Sequence, residues 1–379
     1  MLHRYDTKVL KLGECRYRLA RRHRRQRLTP RPRAQRAPWP GEATFGTELG
    51  PNEWDGELSD RSSPAPLLQG WGWGEVQAQA GWLVERLKLP GGAPVTVLLR
   101  QSGPIRTAYV PRGPAAADAA AIGDLIAWAR EQRLVSIRIE PEAPPSFAST
   151  LSELGLVPAT ASQPVKTAIV KLRDPEELLA SFDKKTRYSI RKSAEVTVEE
   201  GTDVTALAQM AAATSARHGI ALPGADYYKL LIDHVPGART YTASYEGEVL
   251  AANLFVLFQK RAYYLYAGTS GARSDLNPAY AALWAAMRGA VDQGCRDMDL
   301  WGMPRNEGGN DPLAGVGRFK AGFNPVEVEY CGAWDFVLSA IPHHLAKLAD
   351  LSRNQLRKLR KRGLLPHVWF SSGLGQTRA

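Results

Sequence analysis

The same order of predicted elements recurs in the two halves of this 379-residue chain, and it limits the folds that the chain can adopt. In the first half, strand-like runs at residues 95–101 and 105–110 predict a hairpin, which an alanine-rich helix and a further strand follow. In the second half, three strand patterns within residues 239–268 precede a helix at 278–293 and a strand at 296–301. Hairpins followed by helix–strand units are typical of mixed sheets covered by helices, so we predict an α/β chain of two lobes.

The lobe boundaries follow from this order of elements. The first lobe is predicted at residues 49–163 and the second at residues 164–338. Residues 1–48 are expected to form a disordered basic tail, and residues 339–379 a basic helix and tail that pack on the first lobe. For both ends, contact with RNA or with an anionic membrane surface is the alternative.

Positive charge is concentrated at the ends of the chain. Residues 1–40 carry a net charge of +11 and residues 339–379 a net charge of +7, so residues 41–338 carry −7. A polyanion would therefore meet the tails or local basic patches rather than the body as a whole.

Several classes of protein are disfavoured by what the sequence lacks. It has no apolar run long enough for a membrane span, and no apolar segment follows the basic N-terminus as in a secretory signal. The three cysteines (Cys15, Cys295 and Cys331) are too far apart for a disulfide framework or a zinc motif, which fits a reducing, cytoplasmic compartment. Since no HExxH, Walker or G-x-S-x-G motif occurs, we expect neither a metal nor a nucleotide cofactor.

Two mixed lobes of this kind favour an acetyltransferase-like (GNAT) fold. Proteins of that fold bind acetyl-CoA through a glycine-rich loop that opens a helix, where backbone N–H groups hold the pyrophosphate. The corresponding segments here, residues 273–279 and 111–115, lack the glycine pattern. The sequence therefore favours the fold without the coenzyme.

A basic cluster lies at residues 183–195, in the segment DKKTRYSIRKSAE. On a helix, positions 184, 187 and 191 fall on one face, which suits a phosphate backbone. An ordinary solvated basic face is the alternative. The candidate RNA-binding residues are Lys184, Lys185, Arg187, Arg191 and Lys192.

Several motifs, in the same order, resemble those of the FemABX family of non-ribosomal peptidyltransferases, which build peptidoglycan cross-bridges. They are LLQGWGWGEV, YVPRGP, KKTRYSIRKSAE, TSARHGI and the block from YLYAGTS to FKAGF, and they span residues 50–340. The resemblance implies two tandem acetyltransferase-like lobes. Because the predicted helices between Arg217 and Tyr241 are short, we expect a compact, FemX-like member without a long coiled-coil arm.

The resemblance also implies a reaction and its partners. The donor would be an aminoacyl-tRNA, and the acceptor would be UDP-MurNAc-pentapeptide or lipid II, whose stem-peptide side-chain amine receives glycine, alanine or serine. No separate cofactor is expected, and the chain would act as a cytoplasmic monomer with at most a peripheral contact to the inner membrane surface. Two alternatives remain, an acyl-CoA-dependent N-acyltransferase of the same fold and a non-catalytic RNA- or membrane-binding protein.

The Phe-Lys pair of the family matches Phe319 and Lys320 in GVGRFKAGF. An aminoacyl ester is already activated, so the enzyme must mainly hold the amine against the carbonyl and stabilise the oxyanion. Lys320 is the candidate for that stabilisation, with small neighbours that would let a substrate approach, and Phe319 would pack on a substrate. A solvated helix lysine is the alternative.

The resemblance implies an acceptor site as well. Arg217 matches an arginine that holds acceptor phosphates, with a surface ion pair as the alternative. Tyr264 and Tyr266, predicted on one face of a strand, match tyrosines that touch the acceptor; plain core packing is the alternative. Asp118 matches a first-lobe carboxylate that contacts the acceptor or helps its amine lose a proton. Gln77 stands where many members have a lysine, which puts tight diphosphate recognition at this point in doubt.

Overall fold

The structure, a computed structural model, describes residues 48–61, 64–219, 222–304 and 314–340. The predicted basic tail at 1–48 and the predicted C-terminal helix at 339–379 therefore lie almost wholly outside the described residues. Within the described part, no helix is long and apolar enough to cross a membrane.

Helices and strands alternate along the described chain. The strands are β1 (Leu83–Lys88), β2 (Pro94–Ser102), β3 (Ile105–Pro111), β4 (Ser136–Glu140), β5 (Val157–Ala159), β6 (Lys166–Lys171), β7 (Thr197–Gly201), β8 (Ala238–Tyr245), β9 (Glu248–Phe258), β10 (Arg261–Thr269), β11 (Asp297–Gly302), β12 (Val326–Glu329) and β13 (Ala333–Val337). The α-helices are α1 (Pro51–Arg61), α2 (Trp71–Gln79), α3 (Ala119–Glu131), α4 (Ala148–Glu153), α5 (Pro175–Ser181), α6 (Lys184–Lys192), α7 (Thr205–His218), α8 (Ala225–His234), α9 (Pro278–Asp292) and α10 (Ala314–Ala321).

The first sheet has the strand order β1-β2-β3-β4-β13-β5. Strands β2 and β3 form the predicted hairpin, and β3 runs parallel to β4. Strand β13 lies antiparallel between β4 and β5, so residues 333–337, which were predicted to belong to the second lobe at 164–338, pair with strands of the first. The pairing is held by Asp335 of β13, whose two carboxylate oxygens accept hydrogen bonds from Arg138 of β4 at 2.7 and 2.9 Å.

The second sheet has the strand order β12-β6-β11-β10-β9-β8-β7. Strands β8, β9 and β10 form an antiparallel meander, and β10 and β11 run parallel with α9 between them in the sequence. Helix α9 buries an alanine-rich stripe that includes Ala282, Leu283 and Met287, each with no exposed surface. The predicted α/β class with two mixed sheets is therefore confirmed.

The helices that precede the first sheet pack against the second sheet. Trp54 and Leu58 of α1 and Val76 of α2 lie in one apolar cluster with Leu207 of α7 and Leu254 of β9. Burial of apolar surface stabilises the fold by roughly 25 cal/mol per Å². The shared cluster therefore packs the N-terminal helices against the second sheet, whereas two separate lobes would predict that these helices pack on the first sheet alone.

The buried amide of Gln69 explains two of the sequence motifs. Its Nε2 donates to the Pro111 carbonyl at 2.6 Å, and its Oε1 accepts from the Thr96 N–H at 2.8 Å. A Cβ at Gly113, in the turn after β3, would collide with this amide. The LLQ and PRGP motifs thus hold one another in place, because a buried amide needs partners for both its donor and its acceptor.

Candidate active site

Two parallel strands of the second sheet, β10 and β11, end at the same edge. At the end of β10, Arg217 of α7 donates to the carbonyl and to the hydroxyl of Thr269, at 2.7 and 2.8 Å. At the end of β11, Lys320 of α10 donates to the Gly302 carbonyl at 2.7 Å. Ligands bind outside the carboxyl ends of parallel strands, so this edge is the candidate active site.

Lys320 is buried, and the alternative of a solvated helix lysine is excluded. Only 5% of the residue is exposed, and Nζ lies 3.4 Å from the Trp301 carbonyl in addition to its bond with Gly302. Burial lowers the pKa of Lys320 to about 8, while the Asp299 carboxylate acts in the opposite direction. An ammonium has three N–H donors, and two of them face carbonyls here; among the described residues the third has no hydrogen-bond partner.

The first sheet contributes Arg112 to this region, from the turn after β3. Its guanidinium donates to the Pro164 carbonyl at 2.7 Å and lies 4.5 Å from the Tyr330 ring centroid and 5.5 Å from that of Trp301. Glu142 Oε1 lies 3.7 Å from Arg112 Nε; burial raises the pKa of the Glu142 carboxyl, and Arg112 opposes that rise. Charged groups of the first sheet are thus placed against the end of β11.

Sequence reasoning missed three charged groups at this edge, the buried Arg112 and Asp299 and the partly buried Glu142. A signal for Asp299 was available in the segment DMDLWG, where it alternates with apolar residues. Met298 and Leu300 have no exposed surface, and Asp299 between them is 2% exposed. A carboxylate in the centre of a buried strand is costly without partners, so it marks a polar network.

The basic helix α6 joins the Lys320 segment directly. Asp183, which caps α6, donates its N–H to the Gly322 carbonyl at 3.0 Å. A Cβ on Gly322 would collide with the Thr186 hydroxyl, and a Cβ on Gly317 would lie 2.6 Å from Pro304 Cγ. Gly317 and Gly322 therefore make room for the protein's own chain, and the admission of a substrate by the small residues around Lys320 stays a prediction.

Gly322→Ala is expected to destabilise the protein by about 1–3 kcal/mol, because the added methyl group must push α6 away from residue 322. Chemical denaturation at an unchanged m-value would measure this loss. Gly315→Ala, in helix α10 just before Gly322 and with open space around its Cβ in the described structure, is the control and should be neutral or slightly stabilising. Equal stabilities of the two variants would contradict the close contact at Gly322.

Phe319 lies in an aromatic group of the core of the second sheet. Its ring contacts Tyr280 at 4.9 Å and Phe323 at 5.3 Å between centroids, both edge to face. The ring remains partly exposed, so packing on a substrate stays a prediction. Its contacts also hold the short helix α10 that carries Lys320.

Tyr264 and Tyr266 lie on opposite faces of β10, so the prediction that they share a face is wrong. The register with β9 shifts between them. Tyr264 lies opposite Phe255 and Tyr266 lies opposite Leu254, so Leu265 is an extra residue of β10. Such a bulge reverses the alternation of side chains. Tyr264 consequently stacks on Phe255 at 5.0 Å, while Tyr266 packs with the tyrosines of α8.

Gln77 and Tyr266 meet through a third residue, Tyr227. The Tyr227 hydroxyl interacts with both side chains, and burial raises its pKa. Tyr266 also lies edge to face with Tyr227 at 5.9 Å. The structure thus brings together two of the acceptor residues implied by the sequence, and it adds Tyr227, which sequence reasoning missed.

Asp118 stands apart from this group. It is exposed and caps α3, where its carboxylate accepts a hydrogen bond from the Ala121 N–H at 2.8 Å. A residue of this kind at a helix start stabilises the helix by about 1 kcal/mol. Its predicted contact with an acceptor stays a prediction.

The exposed side of α6 carries four cations around a tyrosine. Arg187 is half-buried and donates to the Phe182 carbonyl at the end of α5, so it is turned away from the other cations. Tyr188 is 62% exposed. We call the remaining set the α6 basic face; it consists of Lys184, Lys185, Tyr188, Arg191 and Lys192.

Comparison with known proteins agrees with this architecture. The sequence matches the profile of the FemAB family over residues 147–238 and 237–350. No curated protein sequence matches significantly. The crystal structure of FemX matches with a TM-score of 0.71 at 18% identity, over 80% of this chain and 98% of that one.

Two looser structural matches have lower scores. L-PGS from Bacillus licheniformis has a TM-score of 0.48 at 14% identity, over 81% of this chain and 98% of that one. A tandem GNAT protein from the clavulanic acid biosynthesis pathway has a TM-score of 0.40 at 17% identity, over 78% and 90% of the two chains.

The fold and the family match define a transferase of the acyltransferase class with an acetyltransferase-like architecture. The matched profile covers more than half of the sequence, and the fold likeness to FemX extends over nearly all of that protein. The chain belongs to the FemAB family, as its motifs predicted.

Proposed function

We propose that this chain is an aminoacyl-tRNA-dependent aminoacyltransferase. It adds glycine, alanine or serine to the side-chain amine of a peptidoglycan precursor stem peptide, in cross-bridge synthesis. Membership of the FemAB family and the likeness to FemX support the proposal. The observation that carries it is the Asp183–Gly322 hydrogen bond, which joins the start of α6, the helix with the α6 basic face, to the segment two residues after Lys320.

The proposed reaction requires the protein mainly to position the two substrates and to stabilise the charge that develops between them. The acceptor nitrogen attacks the ester carbonyl carbon, and the tetrahedral oxyanion collapses by expelling the ribose oxygen. The amine proton ends on that oxygen. Lys320 stabilises the oxyanion through its third N–H, and the neighbouring carbonyls hold it in place, so little reorganisation is needed during the reaction.

The two substrates reach the site from different sides in this proposal. Acceptor stem phosphates of the tRNA lie on the α6 basic face, where exposed cations suit a phosphate backbone. Arg217, exposed at the end of β10, binds acceptor phosphate, and the Gln77–Tyr227–Tyr266 group binds the rest of the acceptor. Neutral amide and phenol groups there favour a sugar or peptide over a diphosphate.

The test is transfer of radiolabelled glycine, alanine and serine from charged tRNA to UDP-MurNAc-pentapeptide and to lipid II. RNase treatment before the reaction is one control, and the Lys320→Met variant is another. Label in either acceptor that RNase abolishes is the expected result. Absence of label from every donor–acceptor pair with folded protein would overturn the proposal, and label from acyl-CoA instead would move the chain to an N-acyltransferase function.

Neutralising the α6 basic face is expected to weaken tRNA binding. The double variant Lys184→Gln/Arg191→Gln should raise the Kd about tenfold at physiological salt. It should also reduce the slope of log K against log salt by about 0.7 to 0.9 for each phosphate contact that is lost. Binding titrations at several salt concentrations measure both quantities.

A matched control keeps the change in net charge constant. Arg130→Gln/Lys229→Gln removes two exposed cations from α3 and α8, and its Kd and salt slope should stay near the wild-type values. Tyr188→Ala should cost about 1–3 kcal/mol of binding if a base stacks on the ring, and Tyr188→Phe should restore it. Identical losses in the α6 and control doubles would show that net charge, rather than this face, governs binding.

A further inference from the structure

Asp299 occupies an unusual position in β11. It is 2% exposed and lies between two fully buried apolar residues, Met298 and Leu300. Burial raises the pKa of its carboxyl, and the hydrogen bonds that it accepts oppose that rise. A carboxylate there would destabilise the fold unless its oxygens were hydrogen-bonded, so its partners indicate what it does.

Both partners of Asp299 lie where the pairing of β11 with β6 is irregular. Its Oδ1 accepts a hydrogen bond from the Trp301 N–H at 2.7 Å and another from the Thr167 hydroxyl of β6. The ladder between β11 and β6 is interrupted between Asp299 and Gly302, so the carboxylate takes the place of a strand partner for Trp301.

The backbone at Trp301 is strained, with a φ of 63°. A bulky residue adopts this left-handed conformation only when its surroundings impose it. The conformation turns the carbonyls of Trp301 and Gly302 toward Lys320 Nζ, at 3.4 and 2.7 Å. The hydrogen bond from the Trp301 N–H to Asp299 fixes the same peptide, and Arg112 lies over the Trp301 ring.

We propose that Asp299 is a positioning residue, which fixes the Trp301–Gly302 turn and, through its two carbonyls, the ammonium of Lys320. Thr167 supports it by fixing the same carboxylate oxygen. The effect on transfer rests on the proposed function, whereas the effect on Lys320 itself does not. Asp299 touches no reacting atom in this arrangement and acts only through the lysine.

The charged groups around Asp299 and Lys320 come from both sheets. Within residues 48–304 and 314–340, as far as these are described, Asp299 is the charged group that acts on Lys320, and its charge favours the ammonium. Arg261 and Arg112 act in turn on Asp299. Further ionisable groups surround the same carboxylate, namely Glu142, Tyr263 and Tyr330.

The test measures the titration of Lys320 without using transfer. The full-length protein is labelled with 13C at lysine Cε, the Lys320 resonance is assigned by its absence in Lys320→Arg, and its pKa is determined by NMR. In Asp299→Asn the apparent pKa of Lys320 should fall by about one unit, since a nearby opposite charge typically shifts a pKa by that much or more. Thr167→Val, which keeps the charge and removes one anchoring hydrogen bond, should shift it in the same direction by less.

The control is Asp335→Asn, which removes a carboxylate that is also 2% exposed and hydrogen-bonded, but in the first sheet. It should leave the Lys320 titration unchanged. A folded Asp299→Asn protein with the wild-type Lys320 titration would overturn the inference, because a merely structural carboxylate would not affect the lysine. If Asp299→Asn does not fold, Thr167→Val decides: an unchanged Lys320 titration overturns the inference, and a lower pKa supports it.

Transfer assays on the same variants separate this inference from the proposed function. The upper limb of the pH profile of turnover should move down by the shift that NMR measures. If the Lys320 titration shifts in Asp299→Asn but the wild-type protein transfers nothing, the positioning of Lys320 stands and the proposed function is overturned. If Asp299→Asn transfers with the wild-type pH profile, the proposed function stands and the positioning role of Asp299 is overturned.

Discussion

Lys320→Ala should lower the turnover of the proposed transfer by about 10²- to 10³-fold, the usual effect of removing one oxyanion donor. The ammonium lies at the carboxyl ends of the parallel strands, held by two carbonyls, and its third N–H has no partner within the part of the chain that the structure describes. Single-turnover rates with enzyme in excess of charged tRNA, at concentrations above the Kd, measure the chemical step apart from tRNA binding. Wild-type turnover in this variant would remove Lys320 from the mechanism.

Folding must be checked separately, because removal of the ammonium takes one donor away from the Gly302 and Trp301 carbonyls. Such a loss costs about 1–3 kcal/mol of stability. Lys320→Met, which fills the same space, should show the same loss of turnover at a higher stability than Lys320→Ala. Equal tRNA affinity in wild type and variant would confirm that the defect lies in the reaction.

The pH dependence of turnover follows from the lowered pKa of Lys320, about 8. If the ammonium stabilises the oxyanion, the titration of Lys320 should not affect turnover well below pH 8, where the ammonium is fully formed. Turnover should then fall by up to about tenfold per pH unit above that pH, because the neutral amine loses the charge. Rates in a series of buffers from pH 6 to about 10, at saturating substrates, give the profile. Because the acceptor amine loses its proton over the same range and so raises the rate by itself, the effect of Lys320 is read from the ratio of the wild-type profile to that of Lys320→Met. A ratio that rises with pH would indicate that the neutral amine of Lys320 acts as a base.

The second large effect is expected on stability, in Asp297→Ala. Asp297 and Arg261 are 5% and 6% exposed, and the guanidinium binds both carboxylate oxygens. Removing one partner leaves an uncompensated buried charge, which costs about 3–5 kcal/mol. The change in free energy of unfolding is read from denaturant midpoints at constant m-value.

Asp233→Ala is the control for this variant. It removes the carboxylate of an exposed ion pair on α8, whose partner Lys229 has 67% of its side chain exposed. Pairs of that kind contribute less than about 1 kcal/mol. The double variant Asp297→Leu/Arg261→Met should recover stability relative to Asp297→Ala, since both charges are gone. A loss below about 1 kcal/mol in Asp297→Ala would contradict the account of a buried pair.

The order of elements was predictable because local pattern decides it. The hairpin of β2 and β3, the meander of β8 to β10 and the crossover helix α9 all carry their own periodicity and turn residues in the sequence. The placement of β13 was not predictable in this way. A short strand can pair with any free edge, and the Arg138–Asp335 contact that holds it joins residues 197 positions apart.

The candidate site was predictable in part. The Phe-Lys motif predicted Lys320 as a site residue. Its burial depends on the carbonyls of Trp301 and Gly302, and the helical periodicity around Lys320 does not predict those contacts. The faces of Tyr264 and Tyr266 were mispredicted because strict alternation ignores a bulge. The α6 cations were visible in the sequence, but the turning of Arg187 onto the Phe182 carbonyl was not.

The sequence by itself determined the α/β class, the family and the residues that carry charge, because these depend on composition, period and motif. Only the tertiary structure decided which charges meet. Asp183 and Gly322 are far apart in the chain and adjacent in space, and Asp299 reaches Lys320 through a strained turn at Trp301. The physical reason is that local periodicity encodes which side chains are buried, whereas their partners are fixed by the packing of distant segments.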